Sequence, residues 1–211
     1  MKTDDLIGLL AADAAPPAPL RPGRIGAAAL AGIVVVLGLF LALAGTRQDL
    51  AVVLMQPEVA AKTLIPLVLF TLSLPLALAA LRPDAKPRAV TSLVLPGLAA
   101  LGLWVWAFAT LPPEQRFAEV SPFSVGECLG LIVGLSILPL GLLLGLMRQG
   151  ASLAPGRAGA LAGLGVGCGI TAGYSLFCTQ DNPLFYVTWY GAAILIVTLA
   201  GAALGRRLLR W

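Results

Sequence analysis

A chain of 211 residues that is 59% hydrophobic and only 11% charged lies far from a soluble domain, in which about a quarter of residues carry charge. Its formal charge of +4 comes without a single histidine, which removes the commonest metal ligand, the commonest general base and any Ser-His or Cys-His nucleophile pair. No phosphate-binding glycine motif stands in for these, so the composition points to an all-α membrane protein that is not an enzyme and holds no cofactor.

At the N-terminus, Thr3 can cap a short amphipathic helix with Asp4 and Asp5 in its first turn, favourable beside the helix dipole. Leu6, Leu9 and Leu10 then share one face, with Ile7 beside it. The helix stops before Pro16, and a Pro-rich tether, Ala14 to Pro22, leads to the membrane at no more than about 3.1 Å per residue. An acidic helix on a stiff tether suits a groove in a soluble partner. A frayed end and a helix lying on the membrane are the alternatives, the second opposed by repulsion between Asp4, Asp5, Asp13 and anionic lipid.

A spanning helix needs about 20 mostly apolar residues. Six segments qualify, roughly 25–44, 63–81, 89–111, 128–147, 158–177 and 185–204, and none holds an internal charge. The expected organisation is a cytoplasmic helix and tether over 1–24, a bundle of six transmembrane helices over 25–204 and a basic cytoplasmic tail over 205–211. A cleaved signal peptide is a rival for the first span, since Arg21 and Arg24 precede an apolar run ending in Ala42-Leu43-Ala44. Against it stand the nearly spanning length of that run and the long Pro-rich segment before it.

Orientation follows from the short loops, whose basic residues favour the cytoplasm. Lys2, Arg21, Arg24, Arg82, Lys86, Arg88, Arg148, Arg157, Arg206, Arg207 and Arg210 fall on one side, against Arg47, Lys62 and Arg116 on the other. Both termini are therefore expected inside, and the basic residues act as anchors at the membrane edge rather than as a nucleic-acid surface.

Pro66, Pro75, Pro96 and Pro139 fall inside spans, where each removes a backbone donor. The fifth span carries two glycine rows, Gly159, Gly163, Gly167 and Gly165, Gly169, Gly173, a spacing that lets helices approach closely in lipid. Gly130 with Gly134 and Gly141 with Gly145 suggest the same for the fourth. Trp104, Trp106 and Phe108, with Phe185, Tyr186, Trp189 and Tyr190, read as an interfacial belt.

Cys128 opens the fourth span and Cys178 closes the fifth, so both belong at the outward face, whereas Cys168 lies about 15 Å deeper and reads as packing. Two thiols at one depth can form a disulfide or together bind a thiophilic metal ion, with Glu127 and Asp181 near in sequence as oxygen ligands. Two unrelated buried cysteines are the plainer alternative. Glu127 and Lys62 sit at span edges, within reach of water. The lack of ionisable residues within the spans argues against ion-coupled transport.

The opening Met1-Lys2-Thr3-Asp4-Asp5-Leu6-Ile7, the six spans, the two outward cysteines and the segment from Cys178 through Asp181-Asn182-Pro183-Leu184-Phe185 to Trp189-Tyr190 together resemble the NrsF-like family, negative regulators of sigma F. The resemblance covers nearly the whole chain. It implies an anti-sigma factor of the bacterial inner membrane that holds an extracytoplasmic-function sigma factor inactive until metal or oxidative stress arrives. The family's paired, signal-sensing cysteines match Cys128 and Cys178. The expected partners are that sigma factor, bound through Asp4, Asp5, Leu6, Ile7, Leu9 and Leu10, and the lipid bilayer, with no direct contact to nucleic acid. A small-solute transporter or channel and a membrane thiol oxidoreductase are the other classes, but neither a charged pathway nor a Cys-x-x-Cys pair is present.

Overall fold

The computed structural model describes residues 3–13, 21–53, 55–82, 90–118 and 120–210. Among these residues every regular element is helical: α1 (Thr3–Asp13), α2 (Pro22–Ala44), α3 (Leu50–Val53), α4 (Pro57–Ala79), α5 (Val94–Thr110), α6 (Pro122–Met147), α7 (Pro155–Tyr174) and α8 (Pro183–Leu208), with a 3₁₀ turn at Val90–Leu93 before α5. Residues 14–20 of the proposed tether over 14–22 and residues 83–88 of the inward loop over 82–88 lie outside the described residues, as do the side chains of Leu9 and Leu10.

Among the described residues five helices are long and apolar enough to cross a membrane: α2, α4, α5 with the residues just before it, α6 and α8. Their starts are set locally. Proline occupies the first turn of α2, α4, α6, α7 and α8, where its missing N–H is no loss. Ser121 closes a reciprocal capping box with Ser124 at α6, and the Asn182 side chain accepts from Leu184 N at α8. Pro96 lies in the first turn of α5 and costs that helix little, whereas Pro66, Pro75 and Pro139 are true interior prolines.

The glycine-rich α7 is not among the five, because glycine dilutes its apolar content, yet it is the most enclosed helix. Its two glycine rows serve different neighbours. Gly159 and Gly163 lie against backbone of α8 at Gly201, Gly205, Val197 and Thr198. Gly165 and Gly169 face Ser73 and Phe70 of α4 and Ile33 of α2, and Gly173 meets Leu37 of α2. Here glycine permits a backbone approach that any Cβ would block: one added at Gly205 would lie 2.6 Å from the Pro155 carbonyl oxygen.

Two expectations are corrected. Gly130, Gly134, Gly141 and Gly145 of α6 face open space, and this helix packs instead through Cys128, Ile132, Ser136, Leu140, Leu143, Leu144 and Met147. Phe185, Tyr186 and Tyr190 are buried in the core rather than spread along an interface, since the start of α8 is enclosed by α4, α6 and α7.

Candidate functional site

The helices alternate in direction, so one end of the bundle gathers the segments after α2, between α5 and α6, and between α7 and α8. Gly45, with φ +84°, ends α2 in the left-handed region and turns the chain so that Arg47 N reaches the Leu176 carbonyl, 3.1 Å away. After α7, the chain continues in a tight turn in which Phe177 N and Cys178 N both donate to the Tyr174 carbonyl. These turns set Arg47 and Cys178 side by side.

Cys128 projects from within α6, which begins before it at Pro122, and its thiol neighbours that of Cys178. The structure thus brings together the two cysteines expected at one depth, both buried and both reduced. Tyr174 neighbours Cys128, while the buried Tyr190 hydroxyl makes no hydrogen bond and sits near the Cys178 thiol. Cys168 is wholly buried in α7.

Over the thiols lies an ion cluster. Lys62 Nζ donates to the Cys178 carbonyl at 2.7 Å, the Gln180 carbonyl at 3.0 Å and Asp181 Oδ1 at 2.9 Å. Arg47 grips Asp181 with two parallel bonds of 2.7 and 2.8 Å, and Asp49 with bonds of 2.7 and 3.0 Å. Lys62 is 1% exposed, so the expectation that water reaches it is wrong: α4 begins at Pro57, and the first turns of this helix bury the lysine under the loop before α8. This cluster was missed from sequence. The one available signal was a solitary lysine in an apolar stretch, facing an Asp-Asn-Pro helix start elsewhere in the chain.

The local charges act on one another. The neighbouring Cys128 thiol holds the Cys178 thiol below its ordinary value against the opposing effect of burial, with help from the Lys62 charge. Hydrogen bonds to Asp49 and Asp181 strengthen the Arg47 proton affinity. Burial pushes the Asp181 carboxyl up, but the bonds from Arg47 and Lys62 outweigh it and hold it below the usual range. Because the folded value is depressed, this pairing contributes fully above the ordinary carboxylate pKa of about 4 and is lost as pH falls through the lower folded value. Amide exchange over residues 178–182 is accordingly expected to quicken on acidification below about pH 4, with that at the centre of α7 unchanged. Uniform protection across both segments would contradict this.

A cleft of about 660 Å³ opens at this end, walled by Thr46, Arg47, Gln48, Asp49, Glu127 and Cys178 among others. Asp181 is engaged by its two cations, and among the described residues no three His, Cys, Asp or Glu side chains converge as a metal would need. The other candidate segment, α1, carries Asp4, Asp5, Leu6 and Ile7, with Leu6 43% and Ile7 59% exposed.

Among the described residues the chain is an all-helical bundle with five helices apolar and long enough to cross a membrane and two buried cysteines towards one end. The family described as negative regulator of sigma F, NrsF, matches residues 10–211. The chain is 35% identical to the probable anti-sigma-F factor NrsF of Azospira oryzae and 34% identical to the anti-sigma-F factor NrsF of Caulobacter vibrioides, in each case over the full length of both proteins. The chain belongs to the NrsF family. No solved structure matches it.

Proposed function

We propose that the chain is an anti-sigma factor of the bacterial inner membrane that sequesters an extracytoplasmic-function sigma factor and releases it when metal or oxidative stress is sensed at Cys128 and Cys178. In this reading residues 25–204 cross the bilayer six times, α7 being the sixth, enclosed span. Both termini face the cytoplasm, as the excess of Arg and Lys on that side favours. The cysteine end then faces the periplasm. Residues 1–24 supply the sigma-binding helix and tether, with Asp4, Asp5, Leu6, Ile7, Leu9 and Leu10 as the contact set, and 205–211 form a basic tail.

The observation that carries the reading is that Cys128 and Cys178 are buried neighbours in one core, at the end of the bundle opposite the start of α2 that follows the N-terminal segment. Two neighbouring thiols need only lose two electrons and two protons to an oxidant to become a disulfide, which shortens and fixes the link between α6 and the loop after α7. A signal shifts sigma binding only if it favours one helix arrangement over the other, and α6 and α7 are the two elements such a link would bias.

Affinity capture of sigma factors from cells tests the docking half. Full-length protein should retain its sigma factor, and a version lacking residues 1–15 should lose most of it; equal recovery would sink the contact set. Replacing Cys128 and Cys178 by Ser tests the sensing half, with release by oxidants or metals expected to disappear while capture persists.

A further inference from the structure

The two thiols are not equivalent. Cys178 forms part of the cleft wall and is 5% exposed, whereas Cys128 is 1% exposed and not part of that wall. Two cations address the backbone of Cys178: Lys62 Nζ at 2.7 Å and Arg47 Nη1 at 3.4 Å from its carbonyl oxygen. Cys128 instead lies inside the core near Tyr174. Negative charge developing on sulfur during attack is favoured beside cations and disfavoured in an apolar wall.

We propose that the two thiols act in a fixed order, Cys178 taking the oxidant from the cleft and Cys128 then closing the disulfide. The ordering rests on the reading of this pair as the receiver of an oxidative signal, and names a peroxide as the class of oxidant. In the first step Cys178 sulfur attacks the terminal peroxide oxygen. The S–O bond forms, the O–O bond breaks, and the thiol proton leaves with the departing oxygen as water or an alcohol. Cys178 is then a sulfenic acid. In the second step Cys128 sulfur attacks Cys178 sulfur, the S–O bond breaks, and hydroxide leaves with the Cys128 proton as water. Two thiols lose two electrons, and one peroxide gains them. Lys62 and Arg47 are positioning residues in this scheme, since they hold the Cys178–Asp181 segment against the cleft.

The test uses the full chain in lipid nanodiscs, treated with hydrogen peroxide in the presence of dimedone and read by peptide mass spectrometry over time. Cys128→Ser is expected to accumulate the dimedone adduct on Cys178, and Cys178→Ser to label Cys128 at least about tenfold more slowly. Wild type is expected to end as the Cys128–Cys178 disulfide with little adduct. Alanine variants run in parallel guard against a serine variant that fails to fold, which labelling of the buried Cys168 would reveal. Equal rates, faster labelling of Cys128, or no adduct in either Cys128 variant would overturn the ordering. Sigma release is measured separately: ordered labelling without release would count against the proposed function and leave the thiol chemistry standing.

Discussion

Gly159→Leu is expected to destabilise the bundle by about 3 kcal/mol, at the upper end of the usual cost of overpacking a core. The atoms that a Cβ would meet are the Gly201 carbonyl oxygen and carbon and the Gly205 Cα, all backbone, which cannot rotate out of the way. The helices α7 and α8 would have to separate along the face where α8 contributes Val197, Gly201 and Gly205. Gly134→Leu is the informative contrast. That glycine sits in a similar four-residue spacing but faces open space, so the change is expected to stay within about 0.5 kcal/mol. Thermal unfolding of the two variants in the same detergent measures the difference; equal losses would mean that α7 and α8 are not in backbone contact.

Lys62→Met keeps a long side chain in place but removes the ammonium, and is expected to cost about 3 kcal/mol, near the lower bound for breaking a buried ion pair. Asp181 would keep its paired bonds to Arg47, which limits the loss. The Cys178 and Gln180 carbonyls would lose their Lys62 donor. The damage should therefore concentrate in the loop before α8, with faster amide exchange at 178–182, and Lys62→Arg should recover part of it. A variant that melts and exchanges like wild type would show that the cluster carries no weight in holding the loop.

These two variants separate what was legible in the chain from what was not. Helix positions were close to readable because their causes are local: apolar length, Ser121-Pro122 and Asn182-Pro183 as starts, and Gly45 as a stop. That Cys128 and Cys178 lie at one level followed once alternating helices were drawn, since segments of equal depth end at the same face. The glycine rows, by contrast, look alike in α6 and α7. Only packing reveals that one set receives backbone and the other faces outward.

Lys62 shows the limit most clearly. Taken alone, a lysine at the edge of an apolar run belongs in water, and the chain near it holds no clue to the contrary. Its partner Asp181 is 119 positions away, and Arg47 is 134 positions from the same carboxylate. A charge can be buried only when such partners converge, and convergence depends on every intervening helix direction. Sequence by itself determined the helical class, the apolar lengths and the family, because hydrophobic length and capping act within a few residues. The tertiary structure alone decided which glycines meet backbone, which aromatics enter the core, and that three distant charges lock the loop bearing Cys178, because those energies exist only between segments the fold has brought together.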